Sequence, residues 1–231
     1  MEQHRVIRHI PRPDRDAVER AGRFGVATLH EAIGRRGLLD PQIRPIQQGT
    51  QIAGPAVTAL CHPGDNLMIH AAIEMITPGD VLVVTTTSRS TDGMFGDLLA
   101  TSLQAAGCVG LIIDAGVRDV QQLNAQGFPV WSRAVHAQGT VKATPGSVNI
   151  PVVCAGAAIN PGDLVVADDD GVVCVPRDQV GAAAEAALAR EEREEAMRAR
   201  LATGELGVDI YGLRDRLAEL GVIYLDEEPG A

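Results

Sequence analysis

Two short runs hold the residues best suited to chemistry: Gly96-Asp97-Leu98-Leu99-Ala100, and Asp114-Ala115-Gly116-Val117-Arg118-Asp119. Arg118 offers a planar fork that matches a carboxylate. If a helix starts near Asp97, the backbone N–H groups of Leu98 and Leu99 have no acceptor inside it and can take the other oxygen. Asp119 is a hard oxygen donor of the kind that holds a small divalent cation while leaving water positions open to a keto and a carboxyl oxygen. A cation beside a guanidinium suits the charge of an enolate. From the motif alone, a second reading stands level with this one. In it Arg118 pairs with Asp97, and Asp119 only caps the helix that begins there.

Both runs follow buried strands. Pro78-Gly79-Asp80 precedes the apolar run Val81–Val84, a helical stretch covers residues 95–106 up to Gly107, and Val109–Ile113 is a second apolar run. The order is β-α-β, so the segments 85–97 and 114–119 are read as loops opening at one sheet edge, where ligand sites collect.

The rest of the chain frames this unit. Residues 12–39 read as two short helices, started by Asp14 and broken at Gly22 and Gly25; Pro41, Pro45 and Gly49 mark a loop. A strand over 56–60 leads through His62-Pro63-Gly64-Asp65 to a helix over 66–76 capped by Asp65. Short strands follow at 128–132, 150–154, 164–167 and 172–175. Pro-Gly-Asp at 63–65, 78–80 and 161–163 is turn chemistry, and Asp168-Asp169-Asp170-Gly171 is a turn without the later Glu of a calcium loop. A long exposed helix runs from Pro176 to Ala202 with Glu194–Arg198 four apart, ended by Gly204. A helix at 211–220, a strand near Val222 and a frayed end over 226–231 complete the reading. We divide the chain into N-terminal helices (1–40), an α/β core carrying the site (41–176) and C-terminal helices (177–231), all in one domain.

Composition narrows the function. Aromatic residues are 3% of the 231, so the core is aliphatic sheet and helix. A net charge of −10 argues against nucleic acid as a ligand, because phosphate binding needs clustered Lys and Arg. No apolar run reaches the ~20 residues of a membrane span, and the first residues lack a signal core. Cys61, Cys108, Cys154 and Cys174 sit in apolar runs without a CxxC pair and read as reduced core thiols, with a disulfide or metal-thiolate site as the lesser alternative. A cytoplasmic protein is expected.

Read together, Gly64-Asp65-Asn66-Leu67-Met68-Ile69-His70, Pro78–Val84, Gly96–Ala100 and Gly116–Asp119 resemble the 4-hydroxy-4-methyl-2-oxoglutarate and 4-carboxy-4-hydroxy-2-oxoadipate aldolases of the RraA-like family, over about residues 25–211. The resemblance implies a layered β/β/α, swivelling-domain-like α/β fold with a C-terminal helical extension. It implies a class II pyruvate aldolase that cleaves 4-hydroxy-2-oxo diacids and also decarboxylates oxaloacetate, using Mg²⁺ or Mn²⁺. By motif match Asp119 is the direct metal ligand, Asp97 acts through bound water, and Arg118 binds the pyruvate carboxylate. Gly96, Leu98 and Leu99 line the substrate. A homotrimer or homohexamer is implied, with the site at a subunit boundary and an acidic residue from the neighbour's C-terminal helix. We assign that residue to Glu194, with Glu195 as the spare and a plain solvated helix face as the alternative.

His70 is placed to bind the distal carboxylate or relay a proton, and packs or caps in the alternative reading. His30 reads as part of an amphipathic helix and His62 as a turn residue. The same family contains RraA, a ring-shaped inhibitor of an RNA-degrading endonuclease, whose relatives of that kind lack the full metal set that Asp97, Arg118 and Asp119 make here. A phosphate-transfer or swivelling domain is the third reading, but no P-loop or phosphorylatable His motif supports it.

Overall fold

A computed structural model describes residues 4–226. Along the chain come α1 (Arg15–Ala21), α2 (Val26–Ala32), β1 (Arg44–Pro45), β2 (Ile52–Cys61), α3 (Leu67–Ile73), β3 (Val81–Thr86), β4 (Gly93–Phe95), α4 (Asp97–Ala105) and β5 (Gly110–Val117). Then follow α5 (Val120–Gln126), β6 (Val130–Val135), β7 (Ser147–Val148), β8 (Val152–Cys154), β9 (Ala157–Ile159), β10 (Leu164–Asp168), β11 (Gly171–Val175), α6 (Val180–Ala202), α7 (Gly207–Ile210) and α8 (Leu213–Glu219). The chain divides into two compact units, Met1–Leu188 and Ala189–Ala231, so the boundary lies within α6. No helix among the described residues is long and apolar enough to cross a membrane.

The first unit is a mixed sheet in the order β1-β6-β5-β3-β2-β10-β11, with β4 added on β5 and β7 on β2. β2, β3, β5 and β6 run parallel, and β10 and β11 continue the sheet antiparallel. Alternation along the strands sends side chains to two cores. On one face Leu82, Val84, Leu111 and Ile113 meet Ile69 of α3 and Leu103 of α4. On the other Val83, Ile112 and Trp131 meet the β8–β9 hairpin through Val152, Cys154 and Ile159. Helix, sheet and small hairpin form the expected β/β/α layering. A third core packs α1, α2 and the start of α6 on β10 and β11.

Several elements differ from the sequence reading. The β5 strand runs through Asp114 to Val117, so that stretch is strand and only Arg118 and Asp119 are exit residues. The expected 12–39 helices end at Ala32, although Asp14 caps α1 by accepting the Ala17 N–H. The α3 N-cap is Asn66, and Asp65 serves one residue earlier by accepting the Leu67 N–H. No strand forms near Val222, and the helix expected over 211–220 is shortened to α8. Beyond Asp226 the expected fraying lies outside the described residues. Glu194 pairs back to Arg190 at 2.8 Å and Arg198 pairs with Glu195, so the expected Glu194–Arg198 pair is not made. The Asp169-Asp170 turn joins β10 to β11, with Asp168 facing Gly171. All four cysteines are buried thiols, and burial pushes Cys61 up to about 12.

One ion pair anchors the entry to β3. Asp80, almost fully buried, accepts from Arg12 Nε at 2.8 Å and Nη2 at 2.7 Å and from the Thr77 N–H at 2.7 Å. Replacing it by alanine strands a partly buried guanidinium and an amide. After allowance for the quarter of Arg12 that stays in solvent, Asp80→Ala is expected to destabilise by about 2–3 kcal/mol. Thermal unfolding should move down by roughly 4–10 °C.

Candidate functional site

The parallel strands deliver the site residues at one sheet edge. β4 lies beside the end of β5, pairing Gly93 with Gly116 and Phe95 with Val117, so the chain leaves β4 into α4 and leaves β5 into Arg118 at the same place. The Arg118 N–H donates to Phe95 O at 2.9 Å, which fixes the two exits against each other.

Asp119 adopts φ 59°, ψ 38°, a left-handed conformation that few non-glycine residues take. Its consequence is directional. Although Asp119 sits at the N-cap position of α5, its carboxylate makes no cap hydrogen bond there. It faces α4, accepting the Asp97 N–H at 3.4 Å, and its Oδ2 lies 3.6 Å from Arg118 Nε. The reading in which Asp119 merely caps its own helix therefore fails, and so does the Arg118–Asp97 pair: Arg118 keeps Asp119 as its partner. About half of the Arg118 side chain and a third of the Asp119 side chain stay exposed, leaving both able to meet a ligand.

Gly96 is required by closeness. Its backbone is extended (φ −161°) and tolerates any residue, but a Cβ there would stand 2.2 Å from Asp119 Oδ2. The carboxylate fills the space that a side chain would take. We expect Gly96→Ala to push the carboxylate out and lower turnover by about 10–100-fold, the scale of a misplaced ligand, while unfolding shifts little. Parallel kinetics and melting curves check this; equal losses in both would refute it.

Asp97 is half-buried at the first position of α4, and its carbonyl accepts from Thr101 Oγ1 at 2.9 Å. Leu98 is 80% exposed, while Leu99 is buried and anchors the helix. The first α4 amide with an intrahelical acceptor is Ala100, bonded to Gly96 O, so the N–H groups of Leu98 and Leu99 have no acceptor within the helix.

The loop after β6 backs Arg118, a feature that the motifs did not reveal. Gly93 N–H donates to Gln138 O and His136 N–H to Val117 O. A Cβ at Gly139 would lie 3.2 Å from Arg118 Nη1. The loop's far end is held by Asp65, whose buried carboxylate accepts from Ala143 N at 2.8 Å and Thr144 N at 2.6 Å. Burial pushes the Asp65 carboxyl up, but the amide donors at Leu67, Ala143 and Thr144 outweigh it and hold it below the usual carboxylate value. Between these anchors stands Lys142, the only lysine in the sequence.

His70 is exposed in the last turn of α3, and partial burial and then the Lys142 ammonium hold its imidazole below the usual 6.5. Among the described residues no hydrogen bond or ion pair joins it to Asp97, Arg118 or Asp119. Glu194 lies in the second unit, engaged by Arg190.

No group of three or more His, Cys, Asp or Glu side chains placed to share a metal exists among the described residues. A hard cation does not need one. One carboxylate with the remaining positions left to water and substrate is a common magnesium arrangement, and Asp119, turned out of its own helix into a gap kept open by Gly96, fits it.

Comparison with known proteins agrees with this architecture. Residues 26–174 match the RraA-like model described as Aldolase/RraA. A Halalkalibacterium halodurans protein named "Putative 4-hydroxy-4-methyl-2-oxoglutarate aldolase" is 30% identical over 173 residues, 75% of this chain and 82% of its own. One of the same name from Burkholderia multivorans is 32% identical over 142 residues, 62% of this chain and 86% of its own. Among solved structures, Streptomyces coelicolor RraAS2, described as an unusual member of the RNase ES inhibitor RraA family, superposes with TM-score 0.73 at 32% identity, covering 82% of this chain and 99% of that one.

Proposed function

The chain belongs to the RraA-like, Aldolase/RraA family, and from that premise we propose that it is a divalent-metal-dependent lyase, releasing pyruvate from 4-hydroxy-2-oxo diacids such as 4-hydroxy-4-methyl-2-oxoglutarate or 4-carboxy-4-hydroxy-2-oxoadipate. One observation carries the reading: Asp119 is held in a left-handed conformation that removes it from its own helix and sets its carboxylate beside Arg118 at the start of α4. Strain of this kind, of order 1 kcal/mol, persists where the surroundings impose it and gathers at functional sites.

Asp119 would hold Mg²⁺ or Mn²⁺, which when bound supplies a Lewis acid for the keto and carboxyl oxygens of the substrate. Arg118 grips the carboxylate at C1 with its fork, and the N–H groups of Leu98 and Leu99 take the oxygen left over. Asp97 accepts the proton of the C4 hydroxyl through a water. The C3–C4 bond then breaks, its electron pair moving into the C2–C3 enolate, and C4 departs as the carbonyl of a second 2-oxo acid. Protonation at C3 gives pyruvate. Oxaloacetate would lose CO₂ by the same enolate. The distal carboxylate would fall to Lys142, on the loop that backs Arg118, and to His70, which lies close enough to feel the Lys142 charge. Glu194 of a neighbouring copy in a trimer or hexamer completes the proposal.

A pyruvate-coupled assay over the two hydroxy diacids and oxaloacetate, with Mg²⁺ or with chelator, tests it. We expect pyruvate release that chelator removes and either Mg²⁺ or Mn²⁺ restores. The likeness to RraAS2 favours a second reading, a protein-binding regulator of an endonuclease. Silence on all three substrates, with inhibition of RNA cleavage, would establish that one instead.

A further inference from the structure

The site has two halves, and different devices position them. Asp119, Arg118 and the start of α4 are set by the pairing of β4 on β5 and by the Arg118 N–H on Phe95 O. Lys142 and His70 stand outside that frame, one on the loop that backs Arg118 and the other in the last turn of α3. A single buried side chain joins their two elements. Asp65, 1% exposed, accepts the Leu67 N–H at the start of α3 on Oδ1, and the Ala143 and Thr144 N–H groups of the loop on Oδ2.

Only a carboxylate can serve there. Three amides from two segments need acceptors on both oxygens; asparagine has one oxygen and would turn its NH₂ towards the remaining donors. The main chain around Lys142 is tied to the same corner on both sides. Val141 N–H donates to Gly64 O and Val141 O accepts the Asn66 N–H, each at 3.0 Å, while the next two amides hang on Asp65. The corner is rooted on β4 in turn, since the Asn66 side-chain amide donates to Met94 O at 3.1 Å. Lys142 is thus the exposed residue inside a clamped turn, and His70, one helical turn after Asn66, lies near enough to feel its charge. The other end of the loop does not depend on this corner: Gly93 N–H holds Gln138 O, and His136 N–H holds Val117 O.

We propose, on the reading in which Lys142 and His70 take the substrate carboxylate remote from C1, that Asp65 is a positioning residue for the distal half of the site. Its carboxylate fixes the loop that carries Lys142 against the helix that carries His70, and so fixes the gap that the remote carboxylate must fill. The two halves are then separable. A diacid that spans both needs the clamp. Pyruvate fills only the half at Arg118 and Asp119 and does not.

Asp65→Asn and Lys142→Met in the full-length chain with Mg²⁺ test this. On 4-hydroxy-4-methyl-2-oxoglutarate each should raise KM by about tenfold or more and leave kcat within about threefold, the mark of a lost contact shared by bound substrate and transition state. Exchange of the C3 protons of pyruvate with deuterated water, followed by proton NMR, should be unchanged in both. The double variant should have the KM of the worse single one, because Asp65 acts through Lys142. Backbone hydrogen exchange gives a readout apart from activity: it should quicken at Val141, Ala143 and Thr144 in Asp65→Asn and stay as in the parent at Gly93 and His136. Where Asp65→Asn folds poorly, Asp65→Ser takes its place, since a serine hydroxyl keeps an acceptor for the Leu67 N–H and gives up only the loop. Equal losses on the diacid and on pyruvate exchange would make Asp65 a purely structural residue and overturn the inference, as would multiplied effects in the double variant or unchanged exchange at the three loop amides. A parent that neither cleaves the diacid nor exchanges pyruvate would instead remove the reading of the site itself.

Discussion

Replacing Asp119 by glycine is expected to abolish pyruvate release while leaving the fold about as stable as before. The residue sits at φ 59°. An L-residue there is strained by roughly 1 kcal/mol, less for Asp than for most, and glycine relieves that strain. Glycine also widens the unfolded ensemble by about 0.5–1 kcal/mol, so the two effects nearly cancel. Alanine keeps the strain without the polar side chain that eases it, and Asp119→Ala should lose about 1 kcal/mol. Activity separates from stability. Both variants remove the carboxylate facing the Asp97 N–H and Arg118, and both should lower kcat/KM by at least about 10³-fold, the loss seen when a group stabilising charge in the transition state is removed. Melting curves beside the coupled assay check the pair. If Asp119→Gly kept activity within tenfold of the parent, the carboxylate would have no part in the chemistry.

The sequence alone does not separate these two roles of Asp119. The run Gly116-Val117-Arg118-Asp119 identified the residues, because apolar strands on either side of a helix leave few places for a polar pair to emerge. It left open whether Asp119 capped its own helix, since Asp is equally at home in both roles, and only the backbone torsion decides. The spacing between Asp97 and Asp119 likewise said nothing of Gly96, whose requirement comes from a contact across 23 positions of sequence.

The strands buried on both faces were legible as apolar runs: Val81–Val84, Leu164–Ala167 and Val172–Val175 lie within β3, β10 and β11. The short strands β1, β4 and β7 were not. Each has two or three residues, pairs with a neighbour far along the chain, and owes its form to that neighbour more than to its own side chains. The missed β4 matters most, because it aligns the α4 start with the β5 exit. The loop over Arg118 escaped for a related reason: Gln138 and Gly139 have no motif, and their place is set by the β4 edge and by Asp65 from a distant turn. A lone lysine, Lys142, in a chain otherwise rich in arginine is the one sequence signal there.

Arg118 gives the second large effect. If the site stabilises an enolate, the charge that the guanidinium faces grows between bound substrate and transition state, so its removal should fall on kcat more than on KM. Arg118→Ala is expected to lower kcat by about 10²–10³-fold. The lysine variant sharpens the point. It keeps the positive charge and loses the planar fork, so it should restore part of kcat but not the geometry that holds a carboxylate by two parallel bonds. The result that would sink the assignment is a change in KM alone. Arg118 would then bind substrate and transition state equally, and the pairing of Arg118 with Asp119 at 3.6 Å would serve only to gather an anion at the sheet edge, which a binding protein could do as well as an enzyme.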